Sequence, residues 1–201
     1  IKYELEDLSG HECLIVRWYK VTPDLLDRIG AEAVFISGNS ASPDDYEPAE
    51  QVGLNAAIRE LRWPMFGFCG GHQVMGAALG AELAPIGELD PGEEPFGEAN
   101  DLAPGMKAEL GYFPIQVTNP HPILEGIGDA PVVRHAHSWE LKGLPPGFSN
   151  HAATDLTPIQ LMIHDALPIV GTQFHPEYAT HDHPAGRVMI ENFLRWAGLA
   201  R

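Results

Sequence analysis

The chain has 201 residues, of which 44% are hydrophobic and 20% charged, a composition typical of one globular domain with a core of ordinary size. Its 28 acidic and 12 basic residues give a formal net charge of −16, which disfavours contact with nucleic-acid phosphates and anionic membrane surfaces. No apolar run approaches the roughly 18 residues that a membrane-spanning helix needs, so we expect neither a nucleic-acid nor a membrane partner.

Strand and helix patterns alternate through the first 83 residues. The β-rich apolar run at 13–18 predicts a strand, and Thr22 before Pro23 predicts a helix N-terminus. By the same patterns, further strands are predicted at 33–37 and 64–68, and helices at 49–61 and 73–83, with Gly80 as the C-terminal glycine of the second. This alternation predicts a parallel sheet covered by helices.

The second half is richer in strand patterns. Prolines, glycines and the adjacent acids Glu93 and Glu94 predict an irregular surface loop over 85–105. Short strands are predicted at 112–118, 132–137, 149–154, 159–164 and 169–174, followed by an amphipathic helix over 184–197. The whole pattern predicts one α/β domain over residues 1–201. We expect a flavodoxin-like architecture with a mostly parallel central sheet flanked by helices and additional β strands in the second half.

Cysteine content and the start of the chain bear on the cellular compartment. Cys13 and Cys69 are too few for a disulfide framework, and Cys13, inside an apolar run, is predicted to pack in the core. The opening Ile-Lys-Tyr-Glu-Leu-Glu-Asp has neither the basic region nor the apolar core of a signal peptide, and the missing Met suggests an incomplete or processed start. We therefore predict a cytoplasmic protein.

Cys69 is the strongest candidate for a chemical role. Residues 67–73 read Gly-Phe-Cys-Gly-Gly-His-Gln between an apolar run and a helical pattern, which predicts a sharp strand-to-helix turn at the cysteine. The glycines permit tight or positive-φ backbone geometry, and the following helix directs its free N–H groups and positive dipole end at the sulfur. Both effects favour the thiolate, the nucleophilic form of cysteine.

A second segment supplies the partners that a nucleophilic thiol needs. Residues 171–177 read Gly-Thr-Gln-Phe-His-Pro-Glu, and on an extended chain His175 and Glu177 project to the same side. An imidazole oriented by a carboxylate activates a thiol by exchanging its proton. The sequence therefore predicts a triad of Cys69, His175 and Glu177.

These two segments, in this order and separation, resemble the nucleophile motif and the His-Pro-Glu motif of the class I, or triad-type, glutamine amidotransferases. Ile36-Ser-Gly38, Glu109-Leu-Gly111, Gly186 and Asn192-Phe-Leu194 extend the resemblance over nearly the whole chain. The resemblance implies that a thiolate attacks the γ-carboxamide of glutamine and forms a γ-glutamyl thioester and ammonia. Hydrolysis of the thioester then gives glutamate.

The resemblance also implies residue roles. Cys69 would be the nucleophile, His175 its base and then the acid that protonates departing ammonia, and Glu177 the group that orients the imidazole. It further implies oxyanion- and substrate-binding positions at Gly38, Asn39, Gly70, Gln73, His137 and Ser138. Among them, the backbone N–H groups of Gly70 and of the loop at 38–39 would bind the oxyanion.

Three features depart from the family pattern. Asn39 and Ser40 stand where the family usually has a second glycine and a proline, and Gly70 stands where it commonly has a larger side chain. The usual opening strand and helix before Cys13 are shortened. Since Asn tolerates left-handed geometry and keeps its N–H, the loop is still expected to support activity.

Histidine pairs raise the question of metal binding. His135-Ala-His137 and His181-Asp-His183 each offer two ligands, but the spacing identifies no third partner for either pair. We therefore predict surface or supporting roles for these histidines, no metal site and no cofactor. His72 is predicted to cap or pack at the turn around Cys69.

Three functions stay open on the sequence alone. The first is a glutamine-hydrolysing component that passes ammonia to a partner synthase, since the chain has no ATP-binding Gly-rich loop. The second is a free-standing hydrolase of another γ-glutamyl amide or peptide. The third is a weakly active regulatory module, suggested by the altered loop at 38–40.

Overall fold

The computed structural model describes residues 1–39, 41–94 and 103–200. The helices within these ranges are α1 (Lys2–Ser9), α2 (Pro23–Arg28), α3 (Pro48–Glu60), α4 (Gly70–Ala78) and α5 (Ala185–Trp196). The strands are β1 (Val34–Ile36), β2 (Met65–Phe68), β3 (Leu83–Pro85), β4 (Glu109–Pro114), β5 (Gln116–Val117), β6 (Val132–His137), β7 (Trp139–Leu141), β8 (Phe148–Ala153), β9 (Leu161–His164) and β10 (Ile169–Thr172). None of the helices so described has the length and apolarity required to cross a bilayer.

The central sheet is mixed. Among the described strands its order is β1-β2-β10-β9-β8-β5, with β1 and β10 both parallel to β2 and the other neighbours antiparallel. Residues 165–168 join β9 to β10, a link too short for the crossover that parallel neighbours require. The α/β class is thus confirmed, but the sheet is mixed rather than mostly parallel, because the additional strands predicted for the second half enter it antiparallel.

Two ribbons flank the central sheet. Antiparallel pairs β3–β7 and β4–β6 form them, and the β4–β6 register places Glu109 opposite His137. The single strand predicted at 112–118 is divided between β4 in a ribbon and β5 in the central sheet. The ribbon β4–β6 is therefore a separate sheet, and the His175 N–H, which follows β10, donates to its Arg134 carbonyl over 2.8 Å.

Apolar layers cover both faces of the sheet. Strand β2 is buried at every position: Phe66 and Phe68 belong to the layer under α5, and Met65 to the layer under α3 and α4. The rings of Phe66 and Phe193 have centroids 5.0 Å apart. Burial on both faces explains why the strand shows an apolar run instead of alternation.

The N-terminal part differs from its prediction. The run at 13–17 is not a strand, and its side chains include Leu14 and Ile15, which are 64% and 81% exposed. No described strand pairs with it, so the backbone lacks the ladder that makes β-propensity effective. In contrast, Thr22 caps α2 as predicted, because its side chain accepts a hydrogen bond from the Leu25 N–H.

Helix α4 is displaced from its predicted span. It begins at Gly70 rather than Gln73 and ends at Ala78, and residues 83–85 form β3 instead of the last helical turn. Gly80 has φ of 97°, consistent with its predicted place after the helix end. The shift makes Cys69 the residue immediately before the first helical turn.

Candidate active site

Three neighbouring parallel strands end at one place. Strands β1, β2 and β10 are adjacent in the sheet and run in the same direction, so their carboxyl ends lie side by side. Gly38 follows β1, Cys69 follows β2 and His175 follows β10. Ligand sites of α/β folds form at this edge of the sheet, so the topology itself brings the predicted residues together.

Cys69 occupies a strained turn. It has φ of 47° and ψ of −103°, uncommon for a residue with a side chain, and its N–H donates to the Thr172 carbonyl over 2.7 Å. The positive φ therefore lies at the cysteine itself and not at the surrounding glycines. Those glycines allow close packing: a Cβ on Gly71 would lie 2.0 Å from the Ile36 carbonyl oxygen, and one on Gly67 would lie 2.6 Å from Met75 Sδ.

His175 and Glu177 meet, but through a turn. Strand β10 ends at Thr172, and Glu177 belongs to the 3₁₀ turn Pro176–Tyr178. His175 Nδ1 lies 2.8 Å from Glu177 Oε1, with both side chains largely buried. The predicted pairing is present, while the extended conformation expected to produce it is wrong. Pro176 starts a tight turn that folds the carboxylate back on the imidazole.

Gly38 packs against both the cysteine and the imidazole. A Cβ at this position would be 2.8 Å from His175 Cε1 and 3.5 Å from Cys69 Cβ, so the two residues lie side by side next to the glycine. Burial tends to lower the pKa of His175, but hydrogen bonding to Cys69 and Glu177 and their negative charges raise it to about 10. The geometry thus favours an imidazolium beside the sulfur.

Two of the residues that depart from the family pattern, Asn39 and Gly70, are in contact. A Cβ on Gly70 would lie 2.1 Å from Asn39 Nδ2 and 3.2 Å from the Asn39 backbone nitrogen. The Asn39 side chain therefore fills the space that a larger residue at position 70 would need. The lack of a side chain at Gly70 thus compensates sterically for the added side chain at Asn39. Ser40, the other departure, lies outside the described residues.

A cleft of about 930 Å³ opens over the thiol. Eight of the nine predicted site residues line it: Gly38, Asn39, Cys69, Gln73, His137, Ser138, His175 and Glu177. Gly70 lies beneath the Asn39 side chain. Arg134 and Tyr178 also line the cleft, although the sequence did not single them out.

His137 is held by acceptors on both sides. Its Nε2 lies 2.8 Å from Glu109 Oε2 and its Nδ1 lies 3.1 Å from the Trp139 carbonyl. Since a carbonyl and a carboxylate accept hydrogen bonds, both ring nitrogens of His137 are occupied by acceptors of the protein. Neither ring nitrogen is then available to a ligand in the cleft.

Glu109 is the centre of a buried polar cluster. Burial favours its neutral form, but the nearby His135 imidazole and hydrogen bonds from His137 and Thr154 outweigh this and hold the pKa of Glu109 well below its usual range. Gln160 Nε2 also donates to Oε2 over 2.6 Å. Because His137 is fixed by this cluster, Glu109 holds the strand segment that lines the cleft.

The same cluster contains the third partner that the sequence spacing did not identify for the pair His135 and His137. The ligand atoms of Glu109, His135 and His137 all lie within 4.8 Å of one another, and these residue types suit zinc. However, Glu109 Oε2 already accepts from Gln160 and His137, so a cation would have to displace existing hydrogen bonds. The absence of a metal stays a prediction.

His72, one helical turn from Gly76 on α4, is completely buried against β10. A Cβ on Gly171 would lie 2.6 Å from its Nδ1. Burial, with a smaller effect of the His137 charge, lowers the pKa of His72 to about 3. The imidazole is therefore neutral in the folded chain and packs the cysteine helix against the histidine strand.

We expect this burial to make the protein acid-sensitive. In the unfolded chain His72 has its ordinary pKa of 6.5, whereas in the folded chain its pKa is about 3, so it takes up a proton only at much lower pH. Stability therefore falls as pH decreases from about 7, by about 2 kcal/mol at pH 5 from this residue alone. Urea unfolding at pH 7 and pH 5 should show this loss in the wild type and a smaller one in His72→Met. The exposed His181→Gln is the control, and an equal loss in His72→Met would contradict the assignment.

The sequence did not predict several groups that contact Cys69 and Gln73. The Ala136 carbonyl lies 3.7 Å from Cys69 Sγ, and the Trp139 carbonyl accepts from Gln73 Nε2 over 2.9 Å. Backbone groups leave no signal in residue type. Gln173 also reaches the sulfur, and its position inside the segment 171–177 was the available signal.

Known proteins are similar to this chain in sequence and in fold. The family model described as Glutamine amidotransferase class-I matches residues 2–196. One subunit of a glutamine-hydrolysing GMP synthase from Pyrococcus furiosus is 33% identical over 139 residues, which are 69% of this chain and 63% of that protein. A glutamine-hydrolysing GMP synthase from Phenylobacterium zucineum is 30% identical over 195 residues, 95% of this chain and 33% of that protein. The chain therefore spans less than two thirds of the length of these relatives.

Solved structures resemble most of the chain in fold. A putative GMP synthase subunit from Thermoplasma acidophilum superposes with a TM-score of 0.75 at 21% identity, covering 98% of this chain and 86% of that one. A glutamine amidotransferase from Thermotoga maritima gives 0.59 at 14% identity, covering 81% and 77%. At these identities the likeness concerns the fold.

Proposed function

Because the chain belongs to the class I glutamine amidotransferase family, we propose that it hydrolyses glutamine to glutamate and ammonia through a thioester on Cys69. The observation that supports this most directly is the contact of Cys69 with the His175–Glu177 pair beside Gly38. These three side chains supply a nucleophile, a proton carrier and an orienting carboxylate in one cleft.

Acylation begins from the ion pair. With its pKa raised to about 10, His175 holds a proton at neutral pH beside the Cys69 thiolate. The thiolate attacks the γ-carbonyl carbon of glutamine, and the backbone N–H groups of Gly70 and of the loop at 38–39 stabilise the oxyanion. His175 then gives its proton to the departing nitrogen, so ammonia leaves and the γ-glutamyl thioester remains.

In deacylation His175 accepts a proton instead of donating one. The neutral His175 takes a proton from water, whose oxygen attacks the thioester carbon. The C–S bond breaks, the electron pair returns to sulfur, and glutamate is released. The pairing of His175 with Glu177 keeps the imidazole in the same orientation for both steps, since Nδ1 is held over 2.8 Å and the other ring nitrogen, Nε2, is left to exchange the proton.

The ammonia acceptor is proposed to be a partner synthase. Two relatives are glutamine-hydrolysing GMP synthases, and this chain aligns with only 33% of the one from Phenylobacterium zucineum. The larger part of that protein lies outside the alignment, which supports a separate acceptor activity. We propose a cytoplasmic location, because both cysteines are free and the cytoplasm keeps thiols reduced.

Two measurements test the proposal. A glutamine-like electrophile should label Cys69, with the modified peptide located by mass spectrometry, and glutamine should protect against labelling. Glutamate release should occur and rise when a candidate GMP synthase partner is added. Labelling at Cys13 alone would contradict the site, whereas labelling at Cys69 with hydrolysis of another γ-glutamyl amide in preference to glutamine would favour the free-standing hydrolase.

Glu177→Ala should reduce turnover less than loss of the nucleophile does. We expect kcat to fall by about 10²-fold, because water partly replaces the orienting carboxylate. The pKa of His175 should also fall below its value of about 10, so the alkaline decline of kcat/KM should begin at lower pH than in the wild type. A pH profile measures both effects. Glu191→Ala, which removes an exposed ion pair with Arg187, is the control. If kcat/KM of Glu177→Ala declined at the same alkaline pH as in the wild type, this would argue against the pairing of His175 with Glu177.

A further inference from the structure

Gln173 is a completely buried amide beside the reactive sulfur. It follows β10 directly, its backbone N–H donates to the Gln160 carbonyl over 2.9 Å, and its side chain is 0% exposed. Its Nε2 lies 3.7 Å from Cys69 Sγ, within the range of an N–H···S hydrogen bond. A buried amide group is costly unless its donors and acceptors are used, so this orientation has an energetic basis.

The hydrogen bonds of two neighbouring amides fix which end of Gln173 faces the sulfur. The Trp139 carbonyl can only accept, so the Gln73 group 2.9 Å from it is the NH₂ end. That same Nε2 lies 3.2 Å from Gln173, which must present its oxygen there. The opposite end of Gln173, facing Cys69, is consequently NH₂.

Two polar groups thus contact the sulfur with opposite preferences. The Ala136 carbonyl, 3.7 Å from Sγ, accepts a hydrogen bond from a thiol but repels a thiolate. The Gln173 NH₂ donates, and a donor favours the charged acceptor. Among the polar side chains that the structure describes, only the His175 imidazole would donate to the thiolate if Gln173 were removed.

We propose that Gln173 is a catalytic residue that stabilises the Cys69 thiolate by donating its Nε2–H to the sulfur. The proposal deepens the proposed function and rests on it for the identity of the substrate. The bond supports the thiolate before attack on the γ-carbonyl. In deacylation it acts again: water adds to the thioester carbon, His175 takes the water proton, the C–S bond breaks, and the electron pair goes to the sulfur that Gln173 contacts. A thioester sulfur is a weak acceptor, so the bond is strongest where the sulfur bears charge.

Thiol alkylation tests the proposal without glutamine. In a Cys13→Ser background, Cys69 is the single thiol, and its rate of reaction with the neutral reagent iodoacetamide is measured against pH. Gln173→Met removes the donor while keeping an unbranched side chain. Gln173→Asn keeps the amide but shortens it, so that it no longer reaches the sulfur. For both variants we expect the pH midpoint of alkylation to rise by about one unit relative to the Cys13→Ser parent.

The outcomes separate this role from a packing role. Loss of packing alone would alter the plateau rate or the melting temperature and leave the midpoint in place, and that result in either folded variant would overturn the proposal. Gln73→Met is a further test, because it frees the Gln173 amide to rotate. This variant should raise the pH midpoint of alkylation by less than the Gln173 variants do. If the parent alkylates normally but does not hydrolyse glutamine, the proposed function fails while the midpoint shift still decides the role of Gln173.

Discussion

Cys69→Ser should abolish glutamine hydrolysis while leaving the fold intact. The hydroxyl is a much weaker nucleophile at neutral pH than the thiolate, so kcat/KM should fall by at least about 10³-fold. The substitution removes little volume at a position that already tolerates φ of 47°, so the unfolding transition should remain close to that of the wild type. Glutamate release and circular dichroism on the same preparations measure the two expectations.

Cys13→Ser is the matched control. Cys13 is partly buried, its N–H donates to Glu6 Oε1, and burial raises the pKa of its thiol, which makes it a poor nucleophile. Its variant should hydrolyse glutamine at the wild-type rate. A Cys69→Ser enzyme with full activity, or an inactive Cys13→Ser enzyme that is folded, would refute the assignment of the nucleophile.

Much of the site could be predicted because it depends on local rules. Short apolar runs identify β1, β2 and β10 as strands, although only β2 and β10 are buried at every position while β1 is partly buried at the end of the described sheet. Parallel neighbours place the residues that follow these strands at one edge. Gly38, Cys69 and His175 each follow such a strand. The sequence therefore contains enough to bring the three together, although the turn that brings Glu177 to His175 depends on the local geometry after Pro176.

The rest of the fold depends on pairing that local patterns leave open. The run at 13–17 has strand composition yet no described partner, and composition cannot tell which runs find one. The contact between Glu109 and His137 follows from the antiparallel register of β4 and β6, and a shift of one residue would send Glu109 to the other face. The direction of the Gln173 amide depends in turn on Gln73 and on the Trp139 carbonyl, contacts that residue type does not predict.

Gly38→Ala should inactivate the enzyme through the position of one imidazole. The added methyl group would lie 2.8 Å from His175 Cε1 and 3.4 Å from the Phe68 carbonyl oxygen, and the strand backbone has little freedom to move. The imidazole, held by Glu177 on its far side, is the group most readily displaced from the thiol. A displacement of about 1 Å costs roughly 10²-fold in rate, so we expect kcat/KM for glutamine to fall by about that factor.

The comparison with Gly143→Ala isolates this steric effect. Gly38 and Gly143 both lie outside the positive-φ region, so alanine is compatible with either backbone, but a Cβ on Gly143 meets no atom within 4 Å. Gly143→Ala should therefore keep wild-type activity. Displacement of the imidazole from the thiolate should also lower the pKa of His175 from about 10, so the Gly38→Ala enzyme should lose activity at lower pH than the Gly143→Ala enzyme. Equal kcat/KM and an equal alkaline loss of activity in the two variants would mean that Gly38 does not pack against the catalytic imidazole during turnover.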